Sequence, residues 1–417
     1  QVRSIVTSQI LKCALALFII SPLINVGPVN VSALLLLVAS GLKLSNEPQQ
    51  FIMFWQKYRV FMSIMAALTG AFTLSNFLSN PLNTLGATFS QARWFLLITV
   101  AAPAVVHGLK PKDWRDIGYF STTLILLFTV IYLSDAFIFL SLDSNLILDL
   151  IDAQRGDPHR PAWVFNPHPF SRTLIAAMLL LLGGALVSST PIFRAIYLIG
   201  IIGLGVLLIL GAVRTAFIAV AVIGCLSAFF YAGRRIVLSL SAGLVLSAVG
   251  LWFRHQLFPM AQSDQSLELR EALFEQGVQE FLSNPWFGGG YQAARSIRWP
   301  PELQQFADAQ TMATTNTHLQ WLEMLVSYGV LGGLLFTAMW LLSGWLVLQV
   351  STQSSGVQRL AGVLLFFNWM SLTIASFTTV YRESEWALWI MTLLAAFSLL
   401  QHKQKASASK HADIVTG

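Results

Sequence analysis

Residues 318–348 read HLQWLEMLVSYGVLGGLLFTAMWLLSGWLVL, an apolar run with a polar start and a single acid, Glu323. At about 1.5 Å per helical residue, such a run exceeds the roughly 30 Å hydrocarbon core of a bilayer. It predicts a membrane helix whose first turns stand above the hydrocarbon or line a wet cavity. Glu323 falls in those turns, either as the partner of a basic group or as a structural polar contact, because an ionisable group facing lipid is costly. Gly329-x-x-x-Gly333 in the same run predicts close packing against another helix.

The rest of the chain repeats this pattern. Hydrophobic residues make up 55% of it and charged residues only 11%, which excludes an ordinary soluble domain. About twelve apolar runs of spanning length follow one another: 10–26, 28–44, 60–78, 89–107, 119–140, 171–188, 191–210, 212–231, 236–253, 318–348, 361–379 and 385–400. The expectation is an all-α polytopic membrane protein, residues 1–417 forming a single transmembrane domain. Two polar inserts interrupt it, a shorter loop at 141–170 and a long one at 253–317, between the ninth and tenth spans.

Lys and Arg near span ends stay on the cytoplasmic side. Lys43, Lys57, Arg59, Lys110, Lys112, Arg115, Arg194, Arg234, Arg235, Arg359, Lys403 and Lys405 all fall in alternate loops, which assigns those loops to the cytoplasm. Both inserts, together with Arg214, Arg270 and His318, then lie outside, and an even number of spans puts both termini inside. No cleavable signal peptide is evident. Cys13 and Cys225 sit in apolar runs and read as small buried hydrophobes, with no disulfide or metal framework. The net charge of +6 is accounted for by the inner-face basic residues, so nucleic acid is not implied. No Walker loop, dinucleotide fingerprint or zinc spacing is present, and neither metal nor cofactor is called for.

Both inserts exceed what packed helices need as connectors, so both are candidates for handling substrate. The shorter carries Asp143, Asp149, Asp152, Arg155, Asp157 and Arg160 beside Trp163 and Phe165, a mixture that suits sugars but better suits an ordinary membrane interface. In the longer, Leu269, Leu273, Phe274, Val278, Phe281 and Leu282 recur at helical spacing, predicting an amphipathic helix over 266–282 with Ser266 as N-cap and Arg270 near its start. Asn284-Pro-Trp-Phe-Gly-Gly-Gly-Tyr291 then forces a turn. Thr317 and Gln320 have capping-box spacing, which places His318 first in a helix, where the dipole favours the neutral imidazole a base requires. Arg214 occupies the short turn 211–215 and must meet an anion, a carbonyl or water there, or serve as an interface anchor.

Two arginines and a neutral histidine on one face suit transfer from a membrane-held diphosphate. Guanidinium forks grip phosphate oxygens and neutralise a departing diphosphate, while the imidazole takes a proton from an attacking hydroxyl. On Arg214, the Asn284-Pro-Trp-Phe-Gly-Gly-Gly turn and the His318 to Gly333 run, the chain resembles the O-antigen ligases. These lie within the O-antigen ligase and polymerase superfamily of C-type glycosyltransferases. Leu319 departs from the pattern, which often has a polar residue directly after the histidine.

The resemblance implies transfer of O-antigen polysaccharide from undecaprenyl diphosphate to a sugar of lipid A-core. The site would lie at the periplasmic face of the bacterial inner membrane. His318 would be the base, Arg214 and Arg270 would hold the donor diphosphate, and the reaction would invert configuration without metal. Arg295 and Arg298, in the same loop, could take the place of Arg270. An O-antigen polymerase or a protein O-oligosaccharyltransferase would share the donor. A lipid-linked glycan flippase, of another class, calls for charged groups near the midplane on interrupted, repeated helices; the chain shows no internal repeat, and Asp135, inside a span, is the exception.

Overall fold

The computed structural model describes residues 2–24, 26–142, 167–211, 213–230, 265–291, 293–297, 317 and 319–416. These residues form helices joined by short turns, with no strand among them. The first group comprises α1 (Val2–Ile24), α2 (Val26–Asn46), α3 (Pro48–Lys57), α4 (Arg59–Ser79), α5 (Thr84–Gly108) and α6 (Pro111–Leu142). Next come α7 (Pro167–Val187), α8 (Pro191–Gly211) and α9 (Arg214–Phe230). The long insert supplies α10 (Gln265–Ser283) and the single turn α11 (Ala293–Ser296), and α12 (Gln320–Gln353), α13 (Gly356–Ser376) and α14 (Glu383–Thr416) complete the chain.

Proline marks several of the starts. Pro48, Pro111, Pro167 and Pro191 each open a helix, where the missing N–H costs nothing and the fixed φ is already helical. Among the described residues ten helices are long and apolar enough to cross a membrane, and the chain is a multi-pass membrane protein. They coincide with ten of the expected spans. Of the other two, the run at 212–231 is the shorter α9, and that at 236–253 lies outside the described residues. So does the loop region 143–166, with its acids and aromatics.

Polar side chains define the two ends of the bundle. At one end Lys12 meets Asp113 and Asp116, Lys43 meets Glu47, and Lys57 reaches Gln401 at 2.7 Å. The same end carries α3, a short surface helix absent from the expected spans; it is too short to cross and buries only Phe54. At the other end Arg93 of α5 pairs with Glu383 at the start of α14.

Two apolar cores fill the space between the ends. One joins α1, α2, α4, α5, α12 and α14 around Phe95, Trp340 and Trp389, and the other joins α6 to α9 with α13 around Leu174, Leu207 and Phe217. Cys13 and Cys225, expected to be buried, are instead exposed on the outer faces of α1 and α9. Inside a bilayer the perimeter is as apolar as the core, so an apolar neighbourhood in sequence does not imply burial.

Candidate functional site

The turn 377–382, between α13 and α14, joins two of the segments that carry expected site residues. Thr215 of α9 shares a 3.0 Å hydrogen bond with Thr378. Gln320, first residue of α12, accepts the Tyr381 backbone N–H at 2.7 Å, and the neighbouring Trp321 indole donates to Ser376 at 2.8 Å. Arg214 immediately precedes Thr215, and its backbone opens α9; its side chain lies outside the described residues. His318, two positions before Gln320, also lies outside them.

Arg270 is half-buried in the second turn of α10. Leu273 and Gly277 share its face by helical periodicity, and that face docks on α12. A Cβ on Gly277 would lie 2.8 Å from the Leu322 side chain and 3.1 Å from that of Thr317. The long insert's helix is thereby fixed against the residue that precedes His318. Ser266, expected as the N-cap, stands second in α10.

The helix start at 317–323 differs from the expected capping box. α12 begins at Gln320 with Leu319 in extended conformation as N-cap, two residues later than the spacing predicts. Gln320 is committed to Tyr381, and its place is taken by Glu323. The Thr317 hydroxyl lies 3.2 Å from the Glu323 carboxylate and 2.9 Å from the Leu319 carbonyl. Glu323 thus anchors the segment that leads into α12.

Gly329 is likewise not the helix-packing glycine expected. It adopts φ +64° and interrupts α12. The turn 285–290 runs alongside the break: the Gly289 and Gly290 N–H groups donate to Val326 and Ser327, and the Val330 N–H donates to Pro285 at 2.8 Å. Gly288, at φ +69°, and Gly329 each lie where a Cβ would collide with the other segment's backbone. Asn76 and Ser75 of α4 close the clasp, through the Tyr291 N–H and the Ser327 carbonyl. From Gly329 to the end of α12 the helix rises about 36 Å, enough to cross the hydrocarbon, so the break sits near one surface and not at the midplane.

Beneath the 377–382 turn lies a pair that the sequence reading missed. Arg172 of α7 and Glu385 of α14 meet at 3.0 Å with side chains 3% and 0% exposed. The second Glu385 oxygen accepts the Arg382 backbone N–H at 2.8 Å, capping α14. Tyr381 packs beside them and donates to the Leu372 carbonyl. Burial lifts its phenol well above the ordinary value, with the Glu385 charge acting in the same direction. An arginine in an otherwise apolar run was the available signal, since intramembrane charges demand a partner. Directly below opens an apolar cavity of about 410 Å³, reaching from Thr173 and Leu388 past Ser121 to Val187 and Val357.

The architecture and the polar layer at one end define a multi-pass helical membrane protein in which α10 packs on α12. Residues 198–337, which contain α9, α10 and the first half of α12, match the family model described as O-antigen ligase, about a third of the chain. That stretch carries Arg214, Arg270 and His318. No curated protein matches the chain.

Proposed function

We propose that the protein transfers O-antigen polysaccharide from undecaprenyl diphosphate to a sugar hydroxyl of lipid A-core, at the periplasmic face of the inner membrane. The observation that carries this reading is the bridging turn: one six-residue segment hydrogen-bonds both the residue after Arg214 and the helix start after His318. The docking of α10 on Thr317 adds the segment bearing Arg270. The apolar cavity below the turn supports a substrate with a hydrocarbon tail.

In this reading His318 takes the proton of the acceptor hydroxyl, whose oxygen attacks the anomeric carbon from the face opposite the diphosphate. The bond from that carbon to the diphosphate oxygen breaks, configuration inverts, and undecaprenyl diphosphate leaves with the electron pair. Arg214 and Arg270 neutralise the charge that accumulates on it. The basic end faces the cytoplasm, together with both termini, and the bridging turn faces the periplasm. The flippase alternative loses support from the position of the α12 break, which is near a surface and clasped by the long insert.

The test is reconstitution of purified protein with lipid-linked donor and three acceptors in parallel: lipid A-core, growing glycan and protein. Transfer to lipid A-core is expected, and His318→Ala should lower it by about 10²–10⁴-fold, the scale of a lost general base. Arg214→Ala and Arg270→Ala should each lower it by about 10²-fold or more, the scale of a lost charge-stabilising donor. Near-normal transfer by an inserted, stable His318→Ala protein overturns the base assignment, and preferred transfer to either other acceptor replaces ligase by polymerase or protein glycosylation.

A further inference from the structure

A second concavity, of about 610 Å³, opens at the same end of the bundle, between the end of α4 and the junction of α10 with the 285–290 turn. Its wall combines Glu280, Ser283, Asn284 and Ser79 with the ring of Trp286. The indole is 70% exposed, Leu78 stands 57% exposed at the rim, and Leu282, next to Ser283 in the chain, is 64% exposed. We infer that this pocket is a subsite for the sugar head of a membrane-embedded glycolipid, the acceptor of the transfer reaction proposed above, on which the inference rests.

Three features identify that occupant. The chemistry is saccharide chemistry, a carboxylate, an amide and hydroxyls converging beside an aromatic face free to stack on a sugar ring. The walls are set before any ligand arrives: the Asn284 side-chain amide lies 3.2 Å from the Ser283 hydroxyl, which itself donates to the Glu280 carbonyl at 2.7 Å. Backbone bonds hold the following turn to α12. The level is that of the bilayer surface, because the turn is fixed at the α12 break and the helix beyond the break already spans the hydrocarbon. A polar floor with an apolar, exposed rim at that depth matches a molecule with sugar above and acyl chains below. Along α10 the pocket lies ten residues from Arg270, about 15 Å, a gap an oligosaccharide core bridges while its lipid stays in the membrane.

The test measures binding of purified lipid A-core, and of lipid A without core sugars, to the full-length protein in nanodiscs. Trp286→Ala, Asn284→Ala and Glu280→Gln should each weaken lipid A-core binding by about tenfold, the scale of one good contact, with binding of sugar-free lipid A unchanged. Trp286→Phe should restore it. In the transfer assay the same three variants should raise KM for lipid A-core and leave kcat and the donor KM alone. Unchanged affinity in the polar variants, with Trp286→Leu as good as wild type, overturns the subsite and makes the indole a bilayer anchor. Transfer that proceeds with variants at wild-type KM sinks the subsite and leaves the reaction standing. Sugar-dependent binding lost in the variants, by a protein that transfers to no acceptor, sinks the reaction and leaves the subsite.

Discussion

At the scale of single residues, the Arg172 and Glu385 pair carries the clearest stability consequence. Both side chains have left water, so removing one strands the other charge among apolar groups at a cost of about 3–5 kcal/mol. Glu385→Ala and Arg172→Ala should each lower the denaturant midpoint in detergent sharply. Arg172→Met with Glu385→Leu should recover most of the loss, since an apolar replacement of a buried pair is often neutral. A double variant as damaged as the singles would mean that the capping bond to Arg382 dominates. The sequence offered a charge in an apolar run at Arg172 but not its partner, because the two lie more than two hundred positions apart and Glu385 reads as an ordinary span terminus. Arg214, Arg270 and His318 became candidates for the opposite reason: each stands in a local sequence pattern, a tight turn, an amphipathic helix or a polar helix entry.

At the scale of elements, the break in α12 decides how the residues before it are presented. Gly329→Ala forces a side chain into a left-handed conformation and against the Trp286 backbone, where a Cβ would lie 2.3 Å from the nearest atom. It should cost more than about 1 kcal/mol and raise the rate at which protease cuts the 285–290 turn, by pushing that turn off the helix. Gly333→Ala, whose nearest neighbour is the flexible Leu325 side chain, should be milder in both measurements. Two glycines four apart suggest helix packing by spacing alone, and only the contact with the distant turn tells a packing glycine from a hinge. The capping box failed in the same way, because Gln320 found a stronger use in the Tyr381 backbone than in its own helix.

At the scale of the whole molecule, the bundle was the most legible level, since apolar runs of the right length have few other fates. Ten of the expected spans are helices of crossing length, and Lys12, Lys43 and Lys57 share one end. The proposed orientation has a direct check. In a background with Cys13 and Cys225 replaced, Asn80→Cys should react with an impermeant thiol reagent in intact spheroplasts, and Ser354→Cys only after the membrane is opened. The reverse pattern would turn the protein over and place the proposed chemistry in the cytoplasm.

The clasp between the 285–290 turn and the broken helix also bears on how sequences of this kind can vary. Its bonds to α12 run between backbone groups, with Asn76 and Ser75 of α4 adding side-chain contacts, and none of them involves the stretch between residues 291 and 317. Lengthening a closed loop is cheap, roughly 0.6 kcal/mol per doubling. Insertions between residues 291 and 317 can therefore accumulate over evolutionary time without loosening the pairing of the turn with α12.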